Sequence, residues 1–283
     1  MAIPGRWVPP ALCAAAFLSG AAALVFETLW FRQTGLVLGN AVWSTSLVLA
    51  AFMAGLALGN GLGGRFAARL RRPFAAYAGL ELAVGATGAA LVAFLPRLPP
   101  LLLPLLQATA DHPALLSLTR AGTAFVLLLV PATAMGLTLP VLVAALQRDD
   151  RRFGWTLGRL YGWNTAGAVA GTLLGEFSLI PALGLRGAGL AAAVLNLGAA
   201  ALALAGDRAT SPREVVPLGE RPARSRLLSP ALAAAFLAGG ILLALEVVWF
   251  RLLLLTAVGT TSSFAVMLAT VLAGIAVGGL LGA

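Results

Sequence analysis

The chain has 283 residues, of which 60% are hydrophobic and 10% are charged, and its formal net charge is +9. Soluble domains carry about 25% charged residues, so this composition excludes a soluble domain and predicts an integral membrane protein. Basic residues beside membrane helices act as topology signals, so the positive charge requires no nucleic-acid partner. One cysteine, Cys13, and one histidine, His112, are too few for a zinc or haem site, and we expect neither a metal nor a cofactor.

Eight stretches are long and apolar enough to cross a bilayer as helices. A span needs about 20 predominantly apolar residues, and no stretch alternates with the period of two that a membrane barrel requires. The predicted spans are residues 11–31, 42–62, 74–95, 121–145, 157–180, 187–205, 231–251 and 262–282. In segment 96–120 a leucine-rich run is interrupted by Pro96, Pro99, Pro100 and Pro104, and this run is expected to lie on the membrane surface or dip into it. The predicted fold is an all-α, polytopic transmembrane bundle.

The arginines fall unevenly on the two sides of this bundle. If the N-terminus lies in the cytoplasm, fourteen arginines lie in cytoplasmic segments and five on the opposite side. Positively charged segments favour the cytoplasm. We therefore predict a multi-pass protein of the cell (inner) membrane, with a cytoplasmic N-terminus and the lipid bilayer as its first partner.

An internal duplication divides the chain. Residues 17–64 align without a gap to residues 236–283, with 18 identities in 48 positions. The identical pairs include Glu27/Glu246, Trp30/Trp249, Phe31/Phe250, Arg32/Arg251, Ser44/Ser263, Gly55/Gly274 and Gly59/Gly278. Parallel repeats of this kind form the two halves of many transporters. We predict a six-helix first half (1–205), a proline-rich cytoplasmic linker (206–229) and the first two helices of a second, incomplete half (230–283).

Four acidic side chains lie inside the predicted spans: Glu27, Glu81, Glu176 and Glu246. A charge at membrane depth costs about 3 kcal/mol on insertion scales, so such residues usually face a cavity or a partner. All except Glu81 lie about five residues, roughly 7 Å, from the outer end of their span. These three glutamates either line an outward vestibule that attracts a cation, or form local ion pairs. In the second case Glu27 would pair with Arg32, and Glu246 with Arg251. Glu81 lies deeper and is the candidate for a proton-linked or buried paired group.

Glycines spaced by four recur in three of the predicted spans. This spacing places them on one helix face, where they let two helix backbones approach closely. The predicted helix-interface residues are Gly55, Gly59 and Gly63 in the second span, Gly167, Gly171 and Gly175 in the fifth, and Gly274, Gly278 and Gly282 in the eighth. Generic helix packing and a specific role between the two halves are both compatible with this pattern.

Six segments, in order along the chain, resemble the membrane region of the fused major facilitator/spermidine synthase-like proteins of bacteria. They are FLSGAAALVFETLWFR (17–32), FMAGLALGNGLGGRFA (52–67), PATAMGLTLP (131–140), LYGWNTAGAVAG (160–171), LIPALGLRG (179–187) and FLAGGILLALEVVWFR (236–251). The resemblance implies a major facilitator-like bundle, in which the second, fifth and eighth helices meet between the halves. It also implies a soluble domain similar to aminopropyltransferases, which make spermidine from putrescine.

The chain departs from that family in having no counterpart of the catalytic domain. Its four aspartates all lie in predicted loops, and no glycine-rich turn follows a strand, so no catalytic residue carries over and an associated enzymatic activity stays open. We expect a membrane module that transports or presents polyamines or related small cations, with an aminopropyltransferase-like domain or remaining membrane helices as partners. The alternatives are a fragment of a major facilitator-like secondary transporter and a structural, partner-binding membrane protein without transport.

Overall fold

The computed structural model describes residues 10–38, 42–146, 153–208, 228–256 and 260–282, and within these ranges every regular element is a helix. The helices are α1 (Pro10–Leu38), α2 (Val42–Phe66), α3 (Pro73–Phe94), α4 (Leu98–Ala108), α5 (Pro113–Leu146), α6 (Phe153–Leu174), α7 (Ile180–Arg208), α8 (Leu228–Thr256) and α9 (Thr260–Leu281). Six helical segments of the described chain are long and apolar enough to cross a membrane. The predicted all-α class is therefore confirmed, and six segments rather than the predicted eight have the length and apolarity of membrane spans among the described residues. Most of the predicted linker, residues 209–227, lies outside the described residues.

The junction of α6 and α7 carries two departures from regular α-helix. A π-helical segment, Gly175–Leu179, leads from α6 into α7, and the backbone then breaks at Gly184, where φ is 67° and ψ is 178°. Residues with a Cβ strongly disfavour this conformation, whereas glycine adopts it readily and so permits the turn. The break lies between predicted spans 157–180 and 187–205, and it separates them in the structure.

The segment between α3 and α5 contains a short helix of its own. α4 follows a 3₁₀ turn, Leu95–Arg97, and contains Pro104. The side chains of Leu101, Leu103 and Leu105 are exposed, as expected for leucines that contact lipid. α5 begins eight residues before the predicted span 121–145, at Pro113, because proline is well suited to the first turn of a helix.

The first repeat lies at the centre of the bundle and the second at its edge. α1 packs on α6 and α7, α2 packs on α5, and α3 packs on α5 and α7. α9 packs on α6, and α8 packs mainly on α9. In the most apolar stretch of α1, 78% of the residues are buried. In the corresponding stretch of α8, 6% are buried. Similar sequences thus occupy very different surroundings.

The predicted glycines of the first half lie at close helix contacts. A Cβ added to Gly59 would lie 2.8 Å from the Cα of Gly136, so α2 and α5 touch through their backbones. Gly55 and Gly63 face the same helix. A Cβ on Gly171 would lie 2.7 Å from the Cα of Ala21 on α1. Both contacts are within the first half.

The glycines of α6 and α9 behave differently from one another. Gly167 and Gly175, like Gly171 between them, face α1. A Cβ on Gly274 or Gly278 would meet no described atom within 4 Å, and one on Gly282 would meet only its own helix. The contact between α6 and α9 instead runs through Gly279, whose added Cβ would lie 3.5 Å from the Cα of Gly162. Of the second, fifth and eighth predicted spans, the fifth and eighth (α6 and α9) therefore meet, through glycines outside the predicted sets, whereas the second (α2) packs on α5 instead.

Candidate carboxylate site between the repeats

Three of the four predicted glutamates lie around the junction of α1, α8, α9 and the π-helical segment. Glu27 comes from α1, Glu246 from α8 and Glu176 from the π-helical segment, and all three are buried. A glutamate inside a membrane span needs a partner. The surroundings of each carboxyl group therefore decide what the junction can bind.

Glu176 is held by both α1 and α9. Its Oε1 accepts a hydrogen bond of 3.0 Å from the hydroxyl of Ser262, and its Oε2 lies 3.9 Å from Nη1 of Arg32. The second contact is within ion-pair range but longer than a hydrogen bond, and the Arg32 side chain is 41% exposed. π-helical turns are rare and frequent at functional sites, and here one carries the glutamate that joins the two repeats.

Glu27 and Glu246 are equivalent positions of the duplication, and the structure brings them together. Each lies one helical turn before Phe31 or Phe250, whose rings meet at 6.2 Å, so both buried glutamates are on the side of their helix that faces the junction. Oε2 of Glu246 has no hydrogen-bond partner among the described residues. The ion pairs found within the described ranges include neither glutamate, since Arg32 reaches Glu176 instead and the Arg251 side chain is exposed. Oε2 of Glu246 is therefore a buried acceptor without a donor, and neither glutamate has a basic partner among the described residues.

A cluster of three phenylalanines covers this junction one helical turn from the glutamate pair. Phe31 stacks on Phe264 with ring centroids 4.1 Å apart and an interplanar angle of 4°. Phe250 meets these two rings edge-on, at 6.2 Å and 5.9 Å. Phe31 and Phe250 are also equivalent positions of the duplication. This contact between equivalent residues places α1 and α8 next to each other at the junction.

The fourth glutamate forms a separate group in the first half. Glu81 on α3 is fully buried, and its Oε2 accepts a 2.7 Å hydrogen bond from Nδ2 of Asn196 on α7. Ser19 and Tyr77 lie beside the same carboxyl group, and the hydroxyl of Tyr77 donates to the carbonyl of Ala15 at 3.3 Å. The structure thus does not bring Glu81 together with the other three glutamates.

Sequence reasoning missed several members of both groups. Asn196 had a usable signal, because it is the one polar side chain in the stretch 187–205. Phe31 and Phe250 also had one, since both are identical in the duplication. Ser262 and Phe264 had none, because the duplication pairs them with Trp43 and Thr45.

The junction is chemically suited to a positively charged ligand. Three carboxyl groups lie around the junction, and the one guanidinium in ion-pair range, that of Arg32, reaches only Glu176, so the ionised carboxyl groups carry an excess of negative charge. Phenylalanine rings nearby can stabilise an ammonium group through their faces. Within the described ranges, no group of three histidine, cysteine or acidic side chains could hold a metal ion. No family model, curated protein or solved structure matches the chain.

Proposed function

We propose that this chain is the membrane module of a major facilitator-like, spermidine synthase-like protein, and that it binds polyamines or related organic cations between its two repeats. The observation that carries the proposal is the burial of Glu27 and Glu246 one turn from the contact between Phe31 and Phe250, with neither glutamate in an ion pair among the described residues. A buried pair of like charges is unfavourable alone. A ligand with ammonium groups removes that repulsion.

The chemistry of the junction favours an organic cation over a bare metal ion. Polyamines combine ammonium groups with methylene stems, and the junction combines carboxyl groups with the rings of Phe31, Phe250 and Phe264. Charges attract more strongly where water is excluded. The ammonium groups would pair with the glutamates while the methylene groups contact the rings.

The position of the junction supports transport or presentation across the bilayer. Transporters built from repeats place their substrate between the repeats, and Glu27 and Glu246 belong to the two copies. With the predicted cytoplasmic N-terminus, α1 and α8 both run outward. The glutamates then lie toward the outer side, with the Arg32–Glu176 pair nearer the surface.

Spermidine binding to the purified chain in lipid nanodiscs tests the proposal. We expect Glu27→Gln and Glu246→Gln each to weaken binding by roughly 10- to 100-fold, because a close charge partner contributes about 2 kcal/mol or more and each tenfold is about 1.4 kcal/mol. Isothermal titration calorimetry measures the change. Uptake of labelled spermidine into proteoliposomes then distinguishes transport from presentation.

The matched control is Asp111→Asn, which removes an exposed carboxylate in the turn between α4 and α5. It should leave spermidine affinity unchanged. Failure of the unmodified chain to bind spermidine would refute the proposal. So would equal affinity of all four proteins.

A structural role is the second candidate, and the open glycine face of α9 favours it. Gly55 and Gly59 of α2 are covered by α5, whereas their equivalents Gly274 and Gly278 face no described atom within 4 Å. Small-residue faces promote association of membrane helices. If association is the function, Gly278→Leu should abolish chemical crosslinking to a partner helix while the chain stays folded.

A further inference from the structure

Glu81 and Asn196 leave two buried acceptor atoms unused. Within the described residues, Oε1 of Glu81 and Oδ1 of Asn196 have no hydrogen-bond partner. Both side chains are almost fully buried, at 0% and 1% exposure. An ionised carboxyl group only accepts hydrogen bonds, whereas the amide has one accepting and one donating end. Buried acceptors without donors are rare in proteins, and this pair of side chains has two of them.

We propose that Glu81 and Asn196 form a proton-binding site in the core of the first half, between α3 and α7. A proton on the carboxyl group supplies a donor for one of them, Oδ1 of Asn196. Rotation of the Asn196 side chain exchanges its amide ends and turns Oδ1 toward the acid. The contact of 2.7 Å is then an N–H···O bond to the carboxylate, or an O–H···O bond from the acid to Oδ1. One pair of side chains serves both protonation states.

The surroundings of Glu81 are neutral on every side that the structure describes. α1 contributes Ser19, α7 contributes Asn196, and α3 itself contributes the hydroxyl of Tyr77. No charged group of α1, α5 or α7 is among those that act on this carboxyl group. The ion pairs of the described chain do not include it. An ionised glutamate here would be an uncompensated charge inside the membrane, and binding a proton removes that charge.

The site is built into a close helix contact. A Cβ added to Gly85, one turn along α3 from Glu81, would lie 3.2 Å from the Cβ of Asn196. The absence of a side chain at Gly85 therefore lets α7 approach α3 closely enough for the hydrogen bond between Asn196 and Glu81. Loss of the proton would place a charge at this contact and weaken the packing of α3 on α7. Proton binding is thereby linked to the packing of the bundle.

Infrared difference spectroscopy of the nanodisc-embedded chain at pH 7 tests this inference without any cation ligand, so its outcome is independent of the proposed function. We expect the spectrum of the unmodified chain minus that of Glu81→Gln to contain the carbonyl band of one protonated carboxylic acid. Asp111→Asn should instead remove the bands of an ionised carboxylate, since Asp111 is exposed. Asn196→Leu should keep the acid band but move its position, because the hydrogen bond to the amide is lost.

Two results would overturn the proton-binding site. The first is a Glu81→Gln difference spectrum that contains carboxylate bands rather than the acid band. The second is a thermal stabilisation by Na⁺, relative to choline, that disappears in Glu81→Gln, which would identify a sodium site instead. If Glu81→Gln does not fold, an acid band with the same position in Asn196→Leu as in the unmodified chain would likewise refute the assignment.

Discussion

Replacement of Gly59 by leucine should destabilise the bundle by about 3 kcal/mol or more, because overpacking a tight contact costs this much when the neighbour cannot yield. The neighbour here is the backbone of α5, with the Cα of Gly136 2.8 Å from an added Cβ. A backbone cannot rotate away as a side chain can. α2 and α5 would have to separate, with loss of the packing along both. Unfolding by sodium dodecyl sulfate in mixed micelles measures the change.

The duplication supplies a matched control for this substitution. Gly278 is the equivalent of Gly59 in the second copy, and an added Cβ there meets no described atom within 4 Å. Gly278→Leu should therefore change the unfolding free energy by less than about 0.5 kcal/mol, as for a surface substitution. Equal losses at both positions would contradict the different surroundings of α2 and α9.

Replacement of Glu246 by lysine should abolish spermidine binding while the chain stays folded. The new ammonium group on α8 would pair with Glu27 and take the place of the ligand's own ammonium group. The ligand would also lose one of its charge partners, which costs about 2–5 kcal/mol, or on the order of 100-fold in affinity. Isothermal titration calorimetry in nanodiscs measures the binding, and thermal unfolding reports the fold.

Glu246→Gln is the companion variant, since it removes the negative charge without adding a positive one. Its affinity should fall between those of the unmodified chain and the lysine variant. If the lysine and glutamine variants bind spermidine equally well, Glu27 is not a charge partner of the ligand. Should Glu246→Lys not fold, Glu27→Lys makes the same test from the other repeat.

The helical class and the span positions could be predicted because lipid leaves the chain few choices. Backbone polar groups in a bilayer must be paired within helices or closed barrels, so long apolar runs such as 74–95 give helices with nearly the expected bounds. The split of the α6–α7 region was also predictable, although its π-helical segment was not. A π-helical turn depends on local packing that apolar periodicity does not reveal.

The partners of individual side chains were less predictable, because a pattern on one helix does not identify the helix that covers it. Gly59 and Gly278 share one pattern, yet α5 covers the first and no described atom lies near the second. Likewise, Arg32 lies five residues after Glu27 in sequence but reaches Glu176. The pairing of Glu27 with Glu246 depends on how the two copies face each other, which the alignment does not specify.

Crosslinking between Phe31 and Phe250 is the most direct test of the central claim, that the two repeats face each other through equivalent residues. The chain has one cysteine, so Cys13→Ser gives a cysteine-free background for a Phe31→Cys/Phe250→Cys pair. A protease site inserted within 209–227 separates α1–α7 from α8–α9 after cleavage. A short bifunctional thiol reagent should hold the two fragments together on a denaturing gel.

The control pair is Phe31→Cys with Phe236→Cys. Phe236 is 80% exposed and lies about 20 Å along α8 from Phe250 at 1.5 Å per residue, so these fragments should separate. We expect a joined product for the 31/250 pair and separated fragments for the 31/236 pair. Separated fragments for both pairs would contradict the central claim.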